Sequence, residues 1–221
     1  MKRVAPTGGR REFLRKSLLL STVIAGACVP AWAEEQAAAT NGQGLYVIGP
    51  MEGYTPHIGT LVSMLNYNRD TIVRTTKSLS MAELDHLHDP NANTIGALLM
   101  HLGAVEKWYQ VNSFEKRNEF NAEEKKLWDA GLNLGDAGRQ NIKGKELKYY
   151  IDLISEVRNR TLEEFKKRDD TWLLAVDPDF GRGEQFNTYW KWFHVCEHES
   201  NHRGQITWLK GRLPGAKPGR E

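Results

Sequence analysis

Apolar residues recur every three or four positions in four separate stretches of the chain, which is the spacing of one face of an α-helix. The first stretch begins at Thr55, a predicted N-cap, with Pro56 at the first helical position. Its apolar positions are Ile58, Leu61, Leu65, Ile72 and Leu79. The pattern predicts a long amphipathic helix that buries this face.

Three further stretches show the same periodicity. Asn93 is the predicted N-cap of the second helix, and Asn187 is that of the fourth, which ends near Gly211. The third begins near Leu147 and ends in a Lys-Lys-Arg segment that suits a helix C-terminus. The apolar stripe of the second helix comprises Ile95, Leu98, Leu99, Leu102, Val105 and Tyr109.

The connections between these helices differ in length and composition. Ser80 and Glu83 form a predicted capping box that starts a short turn of helix. Residues 114–145 are charged and glycine-rich, with one helical stretch over 122–130. Strand alternation of convincing length is absent from the sequence. We therefore predict an all-α, four-helix bundle over residues 54–214, with a flexible lead-in at 34–53 and a tail at 215–221.

The first 33 residues have the order of an export signal: basic, then apolar, then small. The segment RREFLRK at 10–16 matches the twin-arginine pattern, and an Ala-Trp-Ala site predicts cleavage after Ala33. An ordinary secretory leader, or lipidation at Cys28, is the alternative. The sequence thus predicts a periplasmic protein that passes through the twin-arginine export machinery.

The net charge and the hydropathy of the sequence limit the classes of partner that this protein can bind. The net charge is +2, but residues 1–33 contain six basic residues and one acidic residue, so the remainder carries −3. A mildly acidic domain lacks the basic surface that nucleic acid requires. No apolar stretch reaches the roughly 20 residues of a membrane-spanning helix. We expect a small-molecule partner, and the sequence leaves homodimerisation open.

Three histidines lie on the predicted fourth helix at positions 194, 198 and 202, so each advances only about 40° around the helix axis. We expect them to share a face with Trp190, Gln205 and Leu209, and that face to be the bundle interior. A buried stripe of imidazoles needs partners, and a divalent metal such as Zn, Ni or Fe is the simplest one. His101, on the second helix, is the best-placed ligand from a neighbouring helix. Histidines satisfied by ordinary hydrogen bonds are the alternative.

Two segments resemble the signatures of the DinB-like superfamily, NTIGALLMHL at 93–102 and EHESNHRGQI at 197–206. The resemblance covers residues 54–213 and implies a four-helix bundle with one divalent metal held by His101, His198 and His202. His194 matches no ligand position of the superfamily, so we expect it to support a metal ligand from behind or to form part of the pocket wall. The superfamily includes thiol-dependent S-transferases, which implies a low-molecular-weight thiol as co-substrate.

Several alternatives remain at this level. The sequence HVCEH at 194–198 has the form H-x-x-E-H of one metallopeptidase class, but few acidic residues follow it to supply a third ligand. A di-iron site would need two E-x-x-H motifs on core helices, but Glu199 points about 100° away from His198 and Glu83 lies on a short connecting helix. No C-x-x-C-H haem attachment motif is present. A metal with open coordination positions supports S-transfer or hydrolysis. A non-enzymatic metal-binding or stress-related protein is the remaining class.

Four other side chains are candidates near such a site. Asn68 on the first helix is expected level with His101, as a pocket residue or an ordinary interhelical contact. Gln205 is expected on the histidine face. Glu106 falls on the apolar stripe of the second helix, as a buried acid or base or as a solvated side chain. Cys196, the only thiol after the leader, points away from the histidines and is expected to pack in the core.

Overall fold

The computed structural model describes residues 44–181 and 183–217 of the chain. The predicted leader, its cleavage site after Ala33, Cys28 and residues 218–221 lie outside this part. Within it the chain forms eight helices and one pair of short strands. In order these are α1 Pro56–Thr76, α2 Met81–Leu84, α3 Ile95–Glu115, α4 Ala122–Asn133, α5 Gly135–Asn141, α6 Leu147–Lys166, α7 Asp170–Leu174, β1 Val176–Asp177, β2 Phe186–Asn187 and α8 Thr188–Lys210.

The four long helices α1, α3, α6 and α8 form the predicted bundle. Helix α3 packs against α6 and α8, and α1 packs against α8. The long excursion between α3 and α6 contains two helices, α4 and α5, and α4 packs along α3. The helix predicted at 122–130 is therefore confirmed, and it extends three residues further. The two strands form a minimal antiparallel pair before α8, with Val176 opposite Asn187.

The helix ends follow the sequence signals with one exception. Pro56 opens α1, Ser80 and Glu83 form the capping box of α2, and the Asn187 side chain accepts the Trp190 amide at the start of α8. The prediction that Asn93 caps α3 is wrong, because the Thr94 hydroxyl accepts the Ala97 amide there. The Asn93 side chain instead accepts a hydrogen bond from the Gly135 amide.

The interior of the bundle is lined by a different face of α8 from the one expected. The buried residues of this helix are Thr188, Lys191, Trp192, Val195, Cys196, Glu199, Ile206 and Leu209, so Leu209 is buried as expected. The histidine face lies at the edge of the bundle, where Trp190 is 38% exposed and Gln205 is exposed. Charge causes the difference, because Glu199 turns inward to meet two buried arginines.

The Glu199 side chain completes a buried network of four charged side chains, one each from α1, α3, α6 and α8. Arg69 contacts Glu106 and Glu199 at 2.9 and 2.6 Å, and Arg158 contacts the same two carboxylates at 2.7 and 2.9 Å. Burial alone would raise the pKa of Glu106, but the adjacent Arg158 and Arg69 bring it below its ordinary value. Glu106 is thus a buried charge in the core, and the alternative that it is a solvated side chain is wrong.

A helix that crosses a lipid bilayer must be both long and apolar. Among the helices of residues 44–181 and 183–217, none combines the length and the apolar character needed to cross one.

Candidate metal centre

Three imidazoles converge where α3 meets α8. His198 and His202 are one turn apart on α8, and His101 faces them from α3. The Nε2 atom of His198 lies 3.0 Å from Nε2 of His101 and 3.0 Å from Nε2 of His202. One nitrogen from each ring lies within 4.8 Å of the other two. Ligands bound at 2.0–2.1 Å to a tetrahedral ion lie about 3.3 Å apart, a spacing close to the two separations of 3.0 Å, so the three histidines are candidate ligands of one ion.

In His101 and His202, the nitrogen that points away from the cluster, Nδ1, has a hydrogen-bond partner that fixes the tautomer of the ring. His101 Nδ1 donates to the Gly131 carbonyl at 2.8 Å, and His202 Nδ1 donates to Gln205 Oε1 at 3.1 Å. A neutral imidazole with its proton on Nδ1 presents a free lone pair on Nε2. Both rings therefore direct an unprotonated nitrogen at His198. Metal-binding histidines characteristically have this arrangement.

The environment also keeps the rings neutral. Burial lowers the pKa of His101 to about 4, because its effect outweighs the hydrogen bond to the Gly131 carbonyl, which raises the pKa, and the nearby His202 adds a smaller lowering. Burial and the nearby His202 and His101 lower the pKa of His198 to about 3. Burial likewise lowers the pKa of His202. Because neutral imidazole is the form that binds metal, the cluster is ready for a cation near neutral pH.

The carbonyl that accepts the hydrogen bond from His101 belongs to Gly131 of α4, within the charged, glycine-rich segment 114–145. Gly131 lies against Met100, and a Cβ built on Gly131 would be 2.8 Å from Met100 Cγ and 3.3 Å from the Met100 carbonyl oxygen. Only glycine permits this approach of α4 to α3. Sequence reasoning missed this residue, and its one signal was a glycine directly after the predicted helical stretch at 122–130.

A pocket of about 540 Å³ lies between the start of α3 and the last turns of α8, and none of the three histidines is among its lining residues. Gln205, which holds His202, is part of its wall, and its amide also donates to Asn201 Oδ1. A Cβ added to Gly204 would meet no atom within 4 Å, so this position faces open space. The lining residues are Ala92, Asn93, Leu98, Asn201, Gly204, Gln205, Trp208 and Leu209.

His194 lies next to the three-histidine cluster and outside it. Its ring is stacked on Trp190 at 5.3 Å with an interplanar angle of 4°, and its centroid is 5.7 Å from that of His198. His194 Nδ1 donates to Glu197 Oε1 at 2.7 Å. His194 therefore lies next to the cluster and contributes no nitrogen to it.

Asn68 and Cys196 belong to the core. The Asn68 amide donates to the Cys196 carbonyl at 2.7 Å and to its Sγ at 3.3 Å. Asn68 is thus an interhelical contact between α1 and α8, and the expectation that it lines the pocket is wrong. Burial raises the pKa of the Cys196 thiol to about 11, so this sulfur stays protonated at neutral pH.

Comparisons with known proteins agree with this fold. The family described as Mycothiol-S-transferase matches residues 60–215. A DinB-like protein from Bacillus cereus ATCC 10987 is 18% identical with a TM-score of 0.54, covering 73% of this chain and 96% of that one. A conserved protein from Enterococcus faecalis is 14% identical with a TM-score of 0.54, covering 69% and 94%. Functionally curated proteins give no match.

Proposed function

Because the chain belongs to the mycothiol-S-transferase family, we propose that it is a metal-dependent enzyme that transfers a low-molecular-weight thiol to a small electrophilic molecule. The proposal rests on one observation above the others. Three neutral imidazoles direct Nε2 atoms at a common point, and two of them are held in the required tautomer through Nδ1.

His101, His198 and His202 would hold one divalent ion, such as Zn, Ni or Fe. Three protein ligands leave a coordination position open, as in catalytic metal sites. When bound, such an ion lowers the pKa of a thiol toward neutrality and so makes it a nucleophile. Gly131 and Gln205 fix the orientation of the His101 and His202 rings through hydrogen bonds from Nδ1. Rings held in this way favour tight binding of the metal in one geometry.

The thiol must come from outside the chain. Cys196 is buried, bonded to Asn68 and protonated at neutral pH, so it does not serve as the nucleophile. The pocket whose wall includes Gln205, the hydrogen-bond partner of His202, provides room for a small molecule. Its side-chain amides of Asn93, Asn201 and Gln205 can exchange hydrogen bonds with a polar ligand.

The test uses the metal-loaded protein with mycothiol, with glutathione as a second thiol, and an aryl chloride activated by nitro groups. Transfer forms one S–C bond and releases chloride and a proton, and the conjugate is measured by mass spectrometry. Gly204→Trp fills the pocket from an open position, whereas Gly204→Ala adds a single methyl group there. We expect conjugation by the wild type and Gly204→Ala, and about tenfold or greater loss in Gly204→Trp.

Two results would contradict the proposal. Metal-loaded protein that forms no conjugate above background with either thiol would favour a non-enzymatic metal-binding protein. Release of chloride with a hydroxylated product would instead indicate hydrolysis.

We also propose that the protein acts in the periplasm, after export of the folded chain by the twin-arginine machinery. The RREFLRK segment and the Ala-Trp-Ala site of the first 33 residues support this location.

A further inference from the structure

A second cavity, of about 340 Å³, lies away from the histidines between α3, α4 and α6. We name it the α4 groove and define it by its lining residues. These are Lys107, Gln110, Glu123, Glu124, Leu127, Trp128, Leu153, Glu156, Val157 and Arg160. Its size falls in the range of small-molecule sites.

One polar group on the wall of this groove lacks a partner. Gln110 is fully buried, and its Nε2 donates to the Val157 carbonyl at 2.6 Å and to Thr161 Oγ1 at 2.9 Å. The Thr161 hydroxyl is itself committed as a donor to Glu106, so the orientation of the Gln110 amide is fixed. Its Oε1 accepts no hydrogen bond from the described residues. A buried acceptor in this state is stabilised by a ligand that brings a donor.

The charges of the α4 groove favour a cationic donor. Lys107 is paired with Glu124 at 3.0 Å, and Arg160 is paired with Glu115 at 2.5 Å, so both cations of the lining already have carboxylates. Glu156, next to the Val157 carbonyl that Gln110 contacts, is exposed and forms no ion pair with a described residue. The groove is therefore lined by a residue whose buried amide oxygen has no partner among the described residues, Gln110, and by an exposed carboxylate, Glu156.

The remaining wall is apolar. Leu127, Trp128, Leu153 and Val157 line it, and Trp128 is only 5% exposed. Such a surface suits a hydrocarbon or aromatic body and excludes a fully hydrated ion such as a metal or ammonium itself.

We propose that the α4 groove binds an organic ammonium with an apolar body, its N–H groups donating to Gln110 Oε1 and Glu156 and its body packing on Trp128. This site is separate from the metal centre and does not depend on transfer activity.

The probe is phenethylammonium, compared with neutral phenethyl alcohol and anionic phenylacetate, which share the aromatic body. Binding to the full chain is followed by the indole N–H signal of Trp128 in an NMR titration. We expect saturable binding of the ammonium, weaker binding of the alcohol and the weakest binding of the carboxylate. Saturation that shifts signals of the histidine cluster and leaves Trp128 unchanged would overturn the proposal.

Three variants locate the site. Glu156→Gln should weaken ammonium binding about fivefold and leave the alcohol unchanged, since it removes only the charge. Leu127→Arg places a cation at a 41% exposed position of the groove and should abolish ammonium binding. Glu163→Gln makes the same charge change on α6 outside the groove and should have no effect. Absence of saturable ammonium binding at millimolar concentration, or an unchanged Kd in Glu156→Gln, would overturn the proposal.

Discussion

At the scale of single residues, spacing predicts where the histidines lie along the chain, whereas their partners follow only from the fold. The i, i+4 spacing on α8 predicts that His198 and His202 share a face, and the structure brings His101 to them. From the same spacing we expected this face to be the bundle interior, but it lies at the edge of the bundle. Periodicity does not indicate which polar groups pair in the core. Glu199 turns inward because Arg69 and Arg158 meet it there.

The lowered pKa values of the histidines predict a pH dependence of the metal-free protein. Unfolded histidine takes up a proton near pH 6.5, whereas the pKa values of His101 and His198 in the folded protein are about 4 and 3. The unfolded state therefore binds more protons below about pH 6.5, and stability is lost as the pH falls from there toward about 4.

Urea unfolding of metal-free protein at about pH 7.5 and about pH 5 measures this, because most carboxylates stay ionised in both states over that interval. We expect lower stability at the lower pH, and a smaller decrease in His198→Gln. Equal stability of the wild type at both pH values would disprove the neutral, buried state of the cluster.

The buried charge network predicts a large stability effect from a small chemical change. Glu106→Gln removes one carboxylate from between Arg69 and Arg158 and leaves their charges under-compensated in the core. We expect the free energy of unfolding to fall by about 3–5 kcal/mol. Asp152→Asn on the exposed side of α6 is the matched control, and we expect a change there of about 0–1 kcal/mol. A comparable effect of the two variants in urea unfolding would contradict the structural role of Glu106.

At the scale of elements, the sequence predicts the long helices well and the packing of the excursion poorly. Helices α1 and α8 begin at their predicted residues because Pro56 and the Asn187 side chain are local signals. The approach of α4 to α3 depends on the absence of a side chain at Gly131, which periodicity does not record. The Gly131 carbonyl at His101 could therefore not be predicted from the sequence.

This packing predicts that α4 controls metal affinity. Gly131→Ala puts a Cβ 2.8 Å from Met100 Cγ, so α4 must move and the bond from His101 Nδ1 to the Gly131 carbonyl lengthens. We expect metal affinity to fall about 10–100-fold, as for other partners behind metal-binding histidines.

A chelator competition measures the affinity, and the His101 Nδ1–H NMR signal reports the hydrogen bond. Gly138→Ala is the control, because its Cβ meets atoms only at ordinary contact distances of 3.5 Å or more. Unchanged affinity in Gly131→Ala, together with a retained Nδ1–H signal, would refute the role of α4.

At the scale of the whole molecule, the proposed export signal predicts where the protein is located. Changing Arg10 and Arg11 to Lys keeps the charge but removes the paired arginines that the twin-arginine receptor reads. We expect the precursor to stay in the cytoplasm, as measured by fractionation and by the retained leader. A control with Arg15→Lys should be exported and cleaved normally. Periplasmic, cleaved protein from the Arg10→Lys, Arg11→Lys variant would exclude this pathway.

The metal content of the intact protein tests the central claim most directly. Protein prepared without an affinity tag is analysed for Zn, Ni and Fe beside His198→Ala and His194→Ala, of which only the first alters the cluster. We predict about one divalent ion per chain in the wild type and in His194→Ala, and about a tenth of that or less in His198→Ala. Full metal content in His198→Ala, or no metal in wild type after exposure to all three ions, would contradict a three-histidine metal centre.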